Sequence, residues 1–278
     1  MARTISLETR KAAVAGRFYD ADARRLQSYV GGLLAKVDEP KTTAYGAVVP
    51  HAGLMYSGQC AAIVWAQLEI PATVVILAPN HTGLSTSIGG ASLWRSGSFA
   101  TPIGEVPIAE AFATALEARC DLVEHDPLAH QREHAIEVEL PFLRTLVPDA
   151  AIVPLVLAWD DWSRCRELGQ HLATLVQEWD SDVLLVASSD MTHFESASVA
   201  EQKDRGALAE VERLDGKELL EVCRRDRVTM CGRAPTAVVC EAARTLGATA
   251  GTVVDYRHSG WVTGDDSEVV AYAGVVLR

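Results

Sequence analysis

The chain has 278 residues, 49% of them hydrophobic, and a formal net charge of −12. Such a composition supplies a large core, and its charge repels nucleic acid and anionic lipid, so neither is expected as a partner. The opening MARTISLETRKAAVAG lacks the apolar stretch of a signal peptide, and no apolar run reaches the roughly 20 residues of a membrane span, so a cytoplasmic location is expected.

Apolar runs alternate with helix-like stretches along the chain. Ala44–Val49 reads as a strand and Gln59–Leu68 as a helix. Thr73–Leu77 (TVVIL) is β-branched and wholly apolar, as a central strand should be. Trp94–Glu105 is rich in Gly, Ser and Pro and reads as a loop or hairpin. Helical spacing follows over Val106–Ala118, with Pro107 suited to a first turn, and over Glu133–Leu146, which Pro141 should kink or end. Ala151–Leu157 is a strand, Trp162–Glu178 a helix and Asp182–Ala187 another strand. Val199–Arg213, Gly216–Arg225 and Ala234–Leu246 read as helices, the last with Pro235 in its first turn. Gly251–Tyr256 and Val269–Val276 are the last strands. This order predicts an α/β fold: a mainly parallel twisted sheet with helices on both faces, and antiparallel strands at its edges. No linker divides the chain, so residues 1–278 are expected to form a single domain.

Six cysteines, Cys60, Cys120, Cys165, Cys223, Cys231 and Cys240, are scattered without a CxxC pair. A long cytoplasmic chain has no need of disulfides, so all six should be free thiols, and all but Cys231 read as small core residues.

The chemistry gathers where strands end. Val48-Val49-Pro50 leads into His51-Ala52-Gly53. Leu77-Ala78-Pro79 leads into Asn80-His81-Thr82-Gly83. Asp182–Ala187 leads into Ser188-Ser189-Asp190-Met191-Thr192-His193. In an open α/β sheet the carboxyl ends of parallel strands form the crevice where ligands bind. Three of eight histidines therefore fall on one sheet edge. Two imidazoles from adjacent loops make half of a transition-metal site. Cys231 in Thr229-Met230-Cys231-Gly232-Arg233 precedes a helix, whose N-terminus should favour the thiolate, and is one third ligand. Asp190 is the rival third ligand, or a fourth. Asp190 and His193 are three residues apart, a spacing that a turn brings to one side. The plainer readings are a satisfied strand-end histidine, a core thiol at Cys231, and an exposed charged helix at Glu133–Glu139. His125, His130 and His171 read as surface residues.

Six segments in order resemble the Memo family, protein B of the AmmeMemoRadiSam system. They are Val14-Ala15-Gly16-Arg17-Phe18-Tyr19; Pro50-His51-Ala52-Gly53 with Tyr56-Ser57-Gly58; Pro79-Asn80-His81; Glu133-His134-Ala135-Ile136-Glu137 with Leu140-Pro141-Phe142-Leu143; Ser188-Ser189-Asp190 with His193; and Cys231-Gly232-Arg233. The family resembles class III extradiol dioxygenases, which hold non-heme Fe(II) with two histidines and a glutamate. That resemblance puts His51 and His81 at the histidine positions, Cys231 in place of the glutamate, His193 at the acid/base histidine and His134 at a second pocket histidine. It implies catalytic roles for His193, His134 and Asp190, and metal ligation by His51, His81, Cys231 and Asp190. Fe(II) or copper is the implied metal, with zinc as a third candidate. An animal member is known as a phosphotyrosine-peptide adaptor, but no Arg cluster here suits that role. Leu54-Met55 and Met191-Thr192-His193-Phe194 depart from the family's more aromatic wording, which alters the pocket wall and leaves the ligands in place.

Three functions compete. The first is a metal-dependent redox or oxygenase-like enzyme acting on a small molecule. The second is a metal-binding scaffold with a protein partner and no turnover. The third is metal-free chemistry with Cys231 as nucleophile and His51, His81 or His193 as base.

Overall fold

The computed structural model describes residues 9–278, so the first eight residues of the segment read for a signal peptide lie outside it. The chain runs β1 (Thr9–Arg10), α1 (Ala23–Leu34), β2 (Gly46–Val49), α2 (Leu54–Gln67), β3 (Thr73–Pro79), β4 (Ala91–Leu93), β5 (Ser98–Thr101) and β6 (Gly104–Pro107). It continues through α3 (Glu110–Glu117), β7 (Val123–His125), α4 (Pro127–His130), a 3₁₀ turn at Glu137–Glu139, α5 (Leu140–Leu146), β8 (Ala151–Leu157), α6 (Trp162–Glu178) and β9 (Val183–Ser188). Then come β10 (His193–Glu195), α7 (Ala197–Glu212), α8 (Gly216–Arg225), α9 (Arg233–Leu246), β11 (Gly251–His258), α10 (Gly260–Thr263) and β12 (Val269–Leu277).

The middle of the large sheet is the parallel set β2-β9-β3-β8. These strands are buried on both sides, which their unbroken Val, Ile, Leu and Ala runs require. The flanks are antiparallel. Strand β4 runs against β8, and β12 runs against β2, β10 and β11. The sheet is therefore mixed: parallel at its centre and in the outer pair β4–β7, with antiparallel pairings on either side of the centre, as expected for its edges. Only α10 and a short loop separate β11 from β12, too little chain for a parallel crossover, so the second strand must return beside the first.

Helix α2 packs on β2, β11 and β12, with α1 and α5 outside it. Helix α9 packs on β2, β3 and β9, with α6 and α8 outside it. Helices thus cover both faces, as expected. The approach is close: a Cβ on Gly274 of β12 would come within 2.5 Å of Val64 Cγ2 on α2. Trp65, Tyr272, Phe112 and Phe142 are among the largest fully buried side chains.

Several local readings need correction. Trp94–Glu105 holds a hairpin, β5 against β6, but β6 extends to Pro107, which pairs Ser98 instead of opening a helix. Helix α3 therefore starts only at Glu110. Residues 133–136 are not helical, and Pro141 sits at the start of α5, where a missing N–H costs nothing. Glu133, Glu137 and Glu139 are buried, so that segment is not an exposed charged helix. His130 is also buried, against the rings of Trp94 and Phe99, with its Nε2 2.9 Å from the Ser92 carbonyl oxygen.

Candidate metal centre

Strand β9 lies between β2 and β3, so the chain that follows each of the three strands meets at one end of the sheet. Val49 is the register partner of Ser188. From there the loop after β2 carries His51, the loop after β9 carries Asp190, and the loop after β3 carries His81. A fourth loop, between α4 and α5, adds Glu133 and His134 from the same side.

Three imidazoles converge. Candidate ligand atoms of His51, His81 and His134 lie within 4.8 Å of one another. The rings of His81 and His134 stack at 4.7 Å between centroids, and His51 meets both edge-on at 5.1 and 5.3 Å. His51 is buried, His134 half-buried and His81 the exposed member.

The hydrogen bonds fix which nitrogen is free. Ser188 Oγ donates to the Ala135 carbonyl oxygen at 2.7 Å, so it must accept from His51 Nδ1, 2.8 Å away. That leaves the lone pair on His51 Nε2, where Cys231 Sγ meets it at 3.3 Å. His81 Nδ1 donates to Glu133 Oε1 at 2.9 Å, which leaves its Nε2 lone pair uncommitted. Glu133 also accepts the backbone N–H groups of His81, His134 and Ala135, and its Oε1 lies 3.3 Å from His134 Nδ1. One buried carboxylate thus orients two imidazoles. A carboxylate or hydroxyl behind each histidine is the arrangement that presents imidazole to a metal.

Electrostatics follow from burial and from this pairing. Burial pulls His51 down to about 3, and the nearby His81 adds to it. Burial likewise pulls His134 down to about 4, helped by His51. His81 is buried enough to be lowered too, but its hydrogen bond to Glu133 and the carboxylate's charge lift it above its ordinary value. Burial would raise Glu133, yet the His81 hydrogen bond and charge hold it at about 2.

Cys231 Sγ lies 3.3 Å from His51 Nε2 and accepts the Asp190 N–H at 3.3 Å. It precedes α9, as read from the sequence, but its thiol is not eased toward thiolate. Burial, and then the Asp190 charge, push it well up. Gly232 is what allows the approach, because a Cβ there would lie 2.4 Å from the Ser188 carbonyl oxygen. Asp190 is buried, which raises its carboxyl, and Oδ1 accepts the N–H groups of His51 and Ala52. The carboxylate therefore holds the His51 loop in place. His193 opens β10, half-exposed, with its Nδ1 3.1 Å from the Thr229 carbonyl oxygen. Asp190, His134 and His193 line a cavity of about 360 Å³ with Phe18, Tyr56 and Tyr272.

A family model described as Memo-like protein matches residues 10–276. The chain belongs to the Memo family. The MEMO1 family protein of Methanopyrus kandleri is 38% identical over 97% of this chain and 99% of its own length. That of Aquifex aeolicus is 38% identical over 98% and 100%, and that of Sulfolobus acidocaldarius 37% over 95% and 97%. In this Memo-family chain the residues singled out from sequence divide into two groups. His51, His81 and His134 share one cluster with Cys231 against His51, while Asp190 and His193 lie along the adjoining cavity. Sequence reasoning missed Glu133, Ser188 and Glu139 as supports. Glu133 had a signal, since it directly precedes His134. Glu139 had none: it is buried, raised by burial to about 8, and accepts a hydrogen bond from Trp65 Nε1 at 2.8 Å beneath Ser188.

No helix among the described residues is long and apolar enough to cross a membrane.

Proposed function

We propose that this Memo-family protein binds a transition metal at its histidine cluster and carries out a redox reaction there on a small molecule. The observation that carries this reading is the convergence of three imidazoles, two of which have Nδ1 committed to Ser188 and Glu133 so that Nε2 carries the lone pair. His51 and His81 would be the constant ligands, with the third donor from His134 or Cys231. Imidazole suits iron, copper and zinc, and a thiolate beside it favours copper(I), so Fe(II) or copper is the first choice and zinc the third. Bound there, the metal supplies a redox-active Lewis acid.

The chain's own residues do the rest. Glu133 and Ser188 hold the two ligand rings, and Asp190 anchors the loop of His51. The 360 Å³ cavity has the size of a small-molecule site, with aromatic walls at Phe18, Tyr56 and Tyr272. His193 donates Nδ1–H toward the Thr229 carbonyl, which leaves Nε2 to take a proton from a substrate and return it.

Metal-free chemistry at Cys231 has the geometry of a thiol–imidazole pair but opposed electrostatics. Burial holds the thiol protonated and His51 neutral, which disfavours the charged pair a nucleophile needs. A scaffold without turnover draws support from the exposed Met55, Phe194 and Trp261, each a chain neighbour, or nearly so, of a cavity residue.

Metal content of untagged protein, isothermal titration and oxygen uptake separate these readings. His51→Ala with His81→Ala should lower copper or iron affinity by at least ~100-fold, more than the loss of a group that only orients a ligand. Metal binding at full affinity in that variant would refute the site. Metal bound at the cluster with no oxygen uptake across a panel of small reductants would favour the scaffold.

A further inference from the structure

Outside the histidine cluster, where α3 packs on α6, the chain brings together a glutamate with Cys120, read from sequence as a small core residue, and His171, read as a surface residue. Cys120 lies in the turn between α3 and β7, its N–H donating to the Leu116 carbonyl at 3.1 Å. Helix α3 packs on α6, and α6 presents Glu167 and His171 one helical turn apart. Candidate ligand atoms of Cys120, Glu167 and His171 lie within 4.8 Å of one another. Cys120 is buried, His171 half-buried and Glu167 exposed.

We propose that Cys120, Glu167 and His171 form a second metal site, which takes a divalent cation of the zinc class and clips the α3–β7 turn to α6. The donor set is one sulfur, one nitrogen and one oxygen, the mixture that zinc accepts, with a fourth position open to water. Bonds of about 2.0–2.3 Å set tetrahedral donors roughly 3.3–3.8 Å apart, so closing on an ion needs an inward swing of at most about 1.5 Å. Glu167 and His171 have room for that swing. Among the described residues neither makes a side-chain hydrogen bond or ion pair that the ion would have to break, while their neighbours on α6 do. The surroundings favour a cation. Burial pushes the Cys120 thiol up to about 11, and the neighbouring Glu167 and Asp121 carboxylates add negative potential there. A bound cation offsets that negative potential and favours the thiolate. The protein's chemistry elsewhere does not explain why these three groups meet.

The test uses Co²⁺ as the probe for Zn²⁺, in a Cys231→Ser background so that thiolate-to-cobalt charge-transfer absorption does not arise at the histidine cluster. Co²⁺ in excess of what fills the histidine cluster should produce that band, and Zn²⁺ in excess should bleach it. The band should vanish in Cys231→Ser with Cys120→Ser. Affinity should fall by roughly tenfold or more with His171→Ala or Glu167→Gln, surface changes that leave the fold intact. Zn²⁺ should also raise the midpoint of thermal unfolding of Cys231→Ser and raise it less once His171 is replaced. Absence of the band in Cys231→Ser, its persistence without Cys120, or unchanged affinity in both the His171→Ala and Glu167→Gln proteins would overturn the proposal.

Discussion

Glu133→Gln tests the histidine cluster at the carboxylate on which two of its rings depend. Oε1 accepts His81 Nδ1–H at 2.9 Å, His134 N–H at 2.9 Å and Ala135 N–H at 3.0 Å, and Oε2 accepts His81 N–H at 2.7 Å. Every neighbour in hydrogen-bonding range is a donor. A glutamine must aim its own NH₂ at one side, and the least costly choice replaces Oε2 and strands the His81 N–H. A buried unmet donor costs about 1–3 kcal/mol, and the bonds that remain lose their charge assistance, about 1 kcal/mol each at most. The expected loss of stability is on the order of 3 kcal/mol, read by urea unfolding of metal-free protein. The His81 ring keeps its Oε1 partner but loses that partner's charge and the tether of its own backbone N–H, so copper or iron affinity should fall about 10- to 100-fold in isothermal titration. A glutamine protein within about 0.5 kcal/mol of wild type and within about twofold in affinity would show that Glu133 does not hold the rings, since surface changes alone give effects that small.

Three further outcomes follow from buried groups. His130 is pulled down to about 4 by burial, below its unfolded value near 6.5, so its contribution is present above about pH 6.5 and is lost as pH falls toward 4, about 3 kcal/mol in all; unfolding free energies across that window should fall less steeply in His130→Gln, and equal slopes would count against this. Gly232→Ala drives a methyl into the Ser188 carbonyl oxygen and the Ser189 side chain, so it should cost about 1–3 kcal/mol and move Cys231 off His51; an unchanged melting curve would contradict the close approach. Arg10 is buried in an ion pair with Glu137 and also donates to the His130 and Glu133 carbonyls, so Arg10→Leu should destabilise by about 3–5 kcal/mol, and a loss under about 1 kcal/mol in denaturant would show the pair to be dispensable.

The central strands were legible because burial on both faces demands unbroken apolar runs, and the large helices because their buried residues recur at helical spacing. Strands β4, β7 and β10 were not, since three residues carry no period and their pairing is decided by neighbours distant in sequence. Helix α1 was missed as well. Its buried Leu26, Val30 and Leu33 keep helical spacing, but Arg24, Arg25, Gly31 and Gly32 blur it, and its start depends on Asp22 accepting the Arg25 N–H. Within the candidate site, His51, His81, Asp190 and His193 could be placed on one edge because parallel strands deliver their carboxyl ends together. The burial of Glu137 could not be foreseen. It depends on Arg10, Tyr19 and the N–H groups of Ala13 and Val14, more than a hundred residues upstream, and no local pattern distinguishes a carboxylate so met from one facing water.

The strand order has a consequence for when the cluster can exist. His51 and His81 leave the ribosome early and close together in time, yet the strand that spaces them, β9, is synthesised roughly a hundred residues later. Before it arrives nothing sets the gap between β2 and β3, and Ser188, which selects the His51 tautomer, has not been made. An ion cannot therefore seed this fold in the way it seeds a zinc finger. At the site proposed for it, an ion would be admitted only once the sheet is closed, and metallation would then act as a late checkpoint on a finished chain.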